Sequence, residues 1–180
     1  MPSFFTQKMI TENDGLWQTI QSKIKSIEDA AKLISIWRLK NDRIVFTNGC
    51  FDILHPGHAK YLADARSLGE RLIVGLNSDE SVRRLKGSTR PIQDENSRSL
   101  VLASLHAVDC VILFSDDTPE KLIRLVKPDY LVKGGDWSLD QIIGADFVKE
   151  NGGKVLTIPF LEGYSTSNIE QKIKQSGGNG

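Results

Sequence analysis

Short apolar runs alternate with amphipathic stretches along most of the 180-residue chain. Five runs have the length and composition of buried strands, at 44–47, 72–76, 110–114, 130–132 and 155–158. Between and after them, the spacing of apolar residues predicts helices at about 57–67, 94–105, 119–126, 142–150 and 167–174. Regular alternation of strand and helix is typical of parallel sheets covered on both faces. The pattern therefore predicts an α/β fold with a five-stranded parallel sheet and helices on both faces.

The two ends of the chain do not follow this alternation. Residues 1–15 are polar and unpatterned, and we expect them to form a flexible arm. Over 16–40, apolar residues recur at steps of three and four, which predicts a helical extension, either one helix or two that meet near Ser26. The main domain is expected to span 41–175, with a disordered, glycine-rich tail at 176–180.

The most unusual segment follows the first predicted strand, from Thr47 to His58. Gly57 precedes a predicted helix, and the free N–H groups at a helix start attract anions. His55 and His58 flank that start, so both imidazoles can donate hydrogen bonds to one phosphate group. Histidines that serve only packing, or a zinc site, are the alternatives, but no cluster of acidic ligands accompanies the pair. The segment predicts a site for a nucleoside triphosphate.

The sequence GCFDILHPGH resembles the His-x-Gly-His signature of the cytidylyltransferase-like nucleotidyltransferase superfamily. Three more stretches sharpen the resemblance: a basic loop at Arg84–Pro91, the segment Leu131–Trp137, and the segment Glu162–Ile169. Together they are similar to the adenylyltransferase domain of the heptose-phosphate kinase/adenylyltransferase family, over about 44–173. Trp137 stands where that family usually has a tyrosine.

The resemblance implies a Rossmann-like nucleotidyltransferase fold and an adenylyltransferase activity. The implied reaction moves AMP from ATP to D-glycero-β-D-manno-heptose 1-phosphate, giving ADP-heptose and pyrophosphate for lipopolysaccharide and surface glycan synthesis. Some 40 residues precede the first predicted strand, too few for the kinase that the family often carries there, so a stand-alone adenylyltransferase is expected. The family and the extra N-terminal helix also favour a homodimer.

The resemblance also assigns roles to individual residues. We expect catalytic contacts from His55, His58, Lys86 and Arg90. Lys86 and Asp52 are expected to contact the sugar phosphate, with a Mg²⁺ that accompanies ATP as the alternative partner of Asp52. No set of residues is predicted to hold a metal by itself. The predicted nucleotide contacts are Thr47, Asn48, Gly49, Cys50, Phe51, Gly57, Asn77, Lys133, Gly135, Asp136, Ser165, Thr166 and Ser167.

Composition excludes several other functions. Lys+Arg and Asp+Glu are equal at 23 each, which argues against a nucleic-acid-binding protein. No apolar run approaches the roughly 20 residues that cross a bilayer, and the N-terminus does not resemble a signal peptide, so no membrane partner is expected. Cys50 and Cys110 give no disulfide framework, which favours a cytoplasmic location, and Cys50 is expected to serve packing rather than to act as a nucleophile.

Two other functions remain open from the sequence. The first is a cytidylyltransferase that acts on glycerol 3-phosphate or another alcohol phosphate, because the shape of the base pocket decides the nucleotide. The second, from a different class, is a catalytically silent nucleotide-binding module.

Overall fold

A computed structural model describes residues 15–135 and 137–176, apart from the side chain of Asp140. Within these residues, one sheet contains six parallel strands. The strands are β1 (Ile24–Lys25), β2 (Ile44–Gly49), β3 (Arg71–Asn77), β4 (Cys110–Phe114), β5 (Tyr130–Gly134) and β6 (Lys154–Ile158). Their order in the sheet is β1-β4-β3-β2-β5-β6. The parallel α/β architecture is therefore confirmed, but the prediction of five strands is wrong by one.

The additional strand lies inside the segment that was predicted to be helical. Helix α1 (Leu16–Ser22) and helix α2 (Ile27–Leu39) flank β1, which pairs with β4 at the edge of the sheet. Ser26 caps α2, since its hydroxyl accepts a hydrogen bond from the Asp29 N–H at 3.1 Å. The segment 16–40 thus contributes to the sheet, and its prediction as wholly helical is wrong at β1. The predicted arm, apart from Gly15, and the predicted tail, apart from Ser176 in the last helix, lie outside the described residues.

Helices cover both faces of the sheet. They are α3 (Pro56–Arg66), α4 (Asp79–Lys86), α5 (Glu95–Ser104), α6 (Glu120–Val126), α7 (Ala145–Glu150) and α8 (Thr166–Ser176), with a 3₁₀ turn at Leu139–Gln141. Alternate residues of β2 point to opposite faces, so Ile44 and Phe46 join a core with α2, α6 and α7, whereas Val45 joins a core with α3 and α5. Both faces of the strands are therefore buried, as expected of a parallel sheet.

Helix α4 corrects the predicted basic loop. Arg84, Leu85 and Lys86 form the last turn of α4, so the loop begins at Gly87 rather than at Arg84. The Ser78 hydroxyl accepts a hydrogen bond from the Ser81 N–H at 3.2 Å and begins this helix. Lys86 is consequently held on a helix and not on a flexible loop.

The order of the strands locates the expected ligand site. After β2 the chain proceeds through β3 and β4 in one direction, and it returns to the other side of β2 for β5 and β6. In open α/β sheets, ligands bind beyond the carboxyl ends of the strands where the order reverses, which is here between β2 and β5. Among the described residues, no helix has both the length and the apolar character that a membrane span requires.

Candidate active site

A cavity of about 680 Å³ opens at the carboxyl ends of β2, β3 and β5. Its volume is within the range of small-molecule sites. The predicted site residues that line it are Asn48, Gly49, Cys50, Phe51, His55, Gly57, His58, Asn77, Lys86, Lys133, Ser165 and Thr166. The fold therefore brings together most of the residues that sequence reasoning had assigned to one site.

The two histidines stack on each other at the start of α3. Their ring centroids are 3.9 Å apart, and the ring planes are inclined by 24°. Gly57 permits this arrangement, because a Cβ at that position would lie 2.9 Å from Nδ1 of His55. Both Nδ1 atoms are buried, and within the described residues neither has a hydrogen-bond partner. Since buried polar atoms are nearly always paired in native proteins, the two nitrogens indicate a place for a ligand.

Both histidines are held in the neutral form at pH 7. Burial lowers the pKa of His55 below its ordinary value. Burial, followed by repulsion from His55 and Lys86, lowers the pKa of His58 to about 4, while a hydrogen bond with the Ile53 backbone opposes this shift. A neutral imidazole carries one N–H group, with which it can donate a hydrogen bond to a phosphate oxygen.

Polar groups at the ends of β2 and β5 connect these two strands. The ammonium of Lys133 donates to Oδ1 of Asn48 at 3.1 Å, and burial lowers the pKa of Lys133. Thr47, in contrast, is fully buried and shares a 2.6 Å hydrogen bond with the hydroxyl of Tyr61 from α3. Thr47 does not line the cavity but holds α3 against β2, whereas Tyr61, which the sequence reasoning missed, does line it.

Asp52 and Arg90 lie behind the cavity rather than in its lining. The carboxylate of Asp52 accepts hydrogen bonds from the backbone N–H groups of Ile92 and Gln93, each at 2.9 Å. It also pairs with Nη2 of Arg90 at 2.9 Å, and the other guanidinium nitrogen of Arg90 pairs with Glu170 of α8. These contacts hold the 90–93 segment and α8, and neither Asp52 nor Arg90 is among the residues that line the cavity.

The serine-rich segment begins α8. The hydroxyl of Ser165 accepts a hydrogen bond from the Asn168 N–H at 3.1 Å, so Ser165 and Thr166 face the cavity at the start of the helix. Ser167 is not among the lining residues. Gly135 is also absent from the lining and is covered by the ring of Phe160, and Asp136 lies outside the described residues.

Arg98 is a further residue that sequence reasoning missed. Its side chain is fully buried and donates to the carbonyl oxygens of Cys50, Asn77 and Gln93 at 2.7, 2.8 and 3.0 Å. Its Nη2 pairs with Oδ1 of Asp79 at 2.7 Å. One guanidinium therefore joins the ends of β2 and β3 to the starts of α4 and α5, and it fixes the backbone of two residues that line the cavity.

An apolar wall completes the cavity. It comes from β5 and from the segments after β5 and β6, and its members are Leu131, Gly134, Trp137, Ile142, Ile143, Phe160 and Leu161. The first three belong to the segment Leu131–Trp137 that the sequence singled out, whereas the other four had not been assigned to the site. A polar half and an apolar half suit a ligand that has both charged and flat apolar parts, such as a nucleotide.

Comparison with known proteins gives consistent similarities. Residues 46–172 match a family model described as cytidylyltransferase-like. The chain is 53% identical over 154 residues to the bifunctional protein HldE of Nitrobacter hamburgensis, and this match covers 86% of this chain and 31% of that protein. It is 57% identical over 141 residues to the HldE of Rhodopseudomonas palustris, covering 78% of this chain and 29% of that protein. The chain thus spans about 30% of the length of these curated relatives.

Two solved structures are also similar. A lipopolysaccharide core biosynthesis protein from Thermoplasma volcanium is 33% identical, with a TM-score of 0.54, and the match covers 69% of this chain and 99% of that one. A pantoate-beta-alanine ligase from Francisella tularensis, in complex with beta-gamma ATP and beta-alanine, is 18% identical, with a TM-score of 0.56. This match covers 84% of the chain and 76% of the ligase, and at this identity it shows a shared fold.

Proposed function

Because the chain belongs to the cytidylyltransferase-like family, we propose that it is an adenylyltransferase that makes ADP-heptose from ATP and D-glycero-β-D-manno-heptose 1-phosphate. The observation that carries the proposal is the stacked pair of His55 and His58 in a cavity at the reversal of strand order; their buried Nδ1 atoms have no hydrogen-bond partner among residues 15–135 and 137–176. The HldE relatives support the choice of acceptor, since the bifunctional heptose-phosphate family is the one that the motifs resemble. The lipopolysaccharide core biosynthesis protein points in the same direction.

The proposed reaction is an in-line displacement at the α-phosphorus of ATP. An oxygen of the sugar phosphate forms a bond to this phosphorus, and the bond from the phosphorus to the α–β bridging oxygen breaks, so that pyrophosphate leaves. The attacking oxygen is already an anion, and no general base is required. Catalysis then depends on positioning and on stabilising the charge that develops on the phosphates.

The geometry suggests how the lining residues share this task. His55 and His58 would donate N–H groups to the α- and β-phosphates, and the hydroxyls of Ser165 and Thr166 at the start of α8 would hold the β- and γ-phosphates. Lys86 lines the same cavity and lowers the pKa of His58 by repulsion, so its ammonium lies near the histidines and can reach a phosphate of the acceptor. Arg90 acts as a positioning residue in this scheme, since its guanidinium is occupied by Asp52 and Glu170.

Mg²⁺ would enter with the triphosphate rather than occupy a protein cage. Among the described residues, no group of three His, Cys, Asp or Glu side chains is arranged to hold a metal ion. Asp52, the expected alternative ligand, has both oxygens engaged by backbone N–H groups and Arg90. Within the described residues, no protein side chains are therefore assigned to the ion.

The test is a turnover assay with defined substrates. The purified chain is incubated with ATP and D-glycero-β-D-manno-heptose 1-phosphate, and ADP-heptose is identified by mass while pyrophosphate release is measured. CTP, GTP and UTP, each with the heptose phosphate and with glycerol 3-phosphate, complete the panel. Product from CTP and glycerol 3-phosphate alone would replace the proposal with a cytidylyltransferase. Nucleotide binding without pyrophosphate release from any pair would indicate a silent binding module.

We also propose that the chain forms a homodimer. Helix α1 leaves Leu16 and Trp17 78% and 56% exposed, an apolar surface that a second copy can cover. Light scattering across a concentration series should give twice the chain mass of 20.0 kDa, and Trp17→Glu should halve it. A single-chain mass at every concentration would contradict the proposal.

A further inference from the structure

Phe160 packs against two consecutive glycines at the end of β5. A Cβ placed on Gly134 would lie 2.7 Å from Cε1 of Phe160, and one placed on Gly135 would lie 2.6 Å from its Cε2. Both distances are shorter than real Cβ contacts, so the far edge of the ring occupies the space above the Gly134–Gly135 peptide. The Gly134–Gly135 backbone, at which Gly135 was expected to contact the nucleotide, is thus covered by an aromatic ring.

The two glycines are required for different reasons. Gly135 has a φ of +94°, a conformation that disfavours any side chain. Gly134 lies at the end of a regular strand and is absent from the positive-φ glycines, so its backbone would accept alanine. The next nearest neighbour of its virtual Cβ outside Phe160 is a Tyr61 atom at 3.4 Å, which is an ordinary contact. Within the described structure, it is therefore the Phe160 ring that excludes a side chain at Gly134.

Phe160 remains open to the cavity although it rests on this backbone. It lines the cavity and is 67% exposed, an unusual state for a large apolar side chain that a packing role alone would bury. An aromatic face with backbone behind it and open space in front is suited to stacking against another flat ring.

The position of the ring in the sheet agrees with this role. Of the groups suited to phosphates, the two histidines and Lys86 follow β2 and β3, whereas Ser165 and Thr166 reach the cavity from the start of α8. Phe160 follows β6, the edge strand beyond β5, and belongs to the apolar wall. A nucleotide whose phosphates contact the histidines would therefore direct its base toward β5 and β6, where Phe160 lies.

We propose that Phe160 is the platform on which the purine base of ATP stacks, and that Gly134 is the residue whose missing side chain makes room for it. The proposal rests on the proposed function, because it takes ATP as the nucleotide. Stacking on an aromatic side chain typically changes affinity by about 5- to 160-fold when the ring is removed.

The first experiment compares two ligands by calorimetry. Phe160→Ala should weaken ATP binding by about tenfold and leave the affinity for inorganic tripolyphosphate unchanged, because tripolyphosphate lacks the base. Phe160→Tyr should bind ATP as the wild type does, whereas Phe160→Leu, which is apolar but not flat, should resemble Phe160→Ala. Leu39→Ala, which removes an exposed apolar side chain outside the cavity lining, is the control and should bind both ligands normally.

The second experiment tests the link to the glycine. Gly134→Ala should weaken ATP binding in the wild-type background, since the new methyl group displaces the ring. In the Phe160→Ala background the same change should have little further effect, because the obstructing ring is gone. Additive losses in the double variant would refute the assignment of Gly134.

Three other outcomes would overturn the platform itself. The first is an unchanged ATP affinity in Phe160→Ala. The second is a tighter ATP affinity in this variant, which would mean that the ring occupies the place of the base. The third is a loss of tripolyphosphate affinity equal to the loss of ATP affinity. Turnover of ATP and the heptose phosphate by the wild type is measured on the same preparation. Stacking without turnover would refute the proposed function alone, whereas turnover with an unchanged ATP KM in Phe160→Ala would refute this inference alone.

Discussion

Replacing Arg98 by methionine should cause a large loss of stability, although the residue is outside the cavity lining. The substitution keeps an unbranched side chain of similar length but removes four hydrogen bonds to Cys50, Asn77, Gln93 and Asp79. The arginine side chain is 0% exposed, so water cannot replace it without rearrangement.

The magnitude follows from the partners that are left behind. A buried polar group without a partner costs about 1–3 kcal/mol, and the removal of one member of a buried ion pair costs about 3–5 kcal/mol. The Asp79 side chain is 22% exposed and regains some hydration, which places the total toward the lower end. We expect a loss of about 3–4 kcal/mol, or roughly 10 °C in Tm for a chain of this size.

Urea denaturation followed by circular dichroism, together with thermal scans, gives both quantities. Arg43→Met is the matched control, because Arg43 also makes several hydrogen bonds to Glu70, but with its side chain 55% exposed. Its Tm should change far less, since water can replace the lost donor. If Arg98→Met were no more destabilising than Arg43→Met, the role of Arg98 as the central contact between β2, β3, α4 and α5 would be wrong.

Four further predictions concern the cavity. His58→Ala should lower kcat by about 10²-fold with a much smaller change in ATP affinity, because one donor to developing charge is worth about 3 kcal/mol; near-normal turnover with a lower Tm would indicate a packing role instead. Burial holds the pKa of His58 at about 4, below the ordinary value of 6.5, so the unfolded chain takes up a proton first as the pH falls. The stability present above pH 6.5 should therefore decline between about pH 6.5 and 4, and thermal scans of His58→Gln should show a smaller decline. Cys50→Ser should keep substantial activity, and intact-mass spectra during turnover should show no nucleotidylated enzyme, whereas an adduct on Cys50 would refute direct transfer. Lys86→Ala should raise the KM for the sugar phosphate more than the KM for ATP. The control is Lys60→Ala, which removes an exposed lysine and should leave both KM values unchanged. Equal small effects of Lys86→Ala on both substrates would place Lys86 on a solvated surface.

The sequence predicted the central strands well because each is a continuous apolar run buried on both faces. It failed at α4 and β1 for physical reasons. Within α4, Val82 is the one apolar residue that is buried, so the helix shows no apolar stripe, although Ser78 provides an ordinary N-cap. Strand β1 has only two residues, Ile24 and Lys25, and their spacing continues the helical pattern on either side. Its pairing with β4 is a tertiary contact that local periodicity does not encode.

The polar and the apolar halves of the candidate site also differed in how well the sequence predicted them. The polar half was predictable because the turn from β2 into α3 places His55, Gly57 and His58 together by local geometry. The motif nevertheless includes residues that the fold turns away from the cavity: Thr47 points under α3, and Asp52 binds the backbone of the 92–93 segment. A motif contains residues that stabilise the loop as well as residues that contact the ligand, and sequence alone does not distinguish these two kinds of residue.

No sequence motif marked the apolar half, and this determines which part of the function can be inferred from the sequence. The side chains of this apolar wall come from β5 and from two separate segments, with Trp137 and Ile143 after β5 and Phe160 after β6. Phosphate binding can therefore be inferred from consecutive residues, whereas the preference for a base depends on contacts that only the folded chain assembles. Both the cytidylyltransferase and the adenylyltransferase alternatives use the histidine pair, so we expect the choice of base to depend on the residues of this wall. It follows that the Phe160 variants, tested against ATP and CTP side by side, address the choice of nucleotide more directly than any change in the motif.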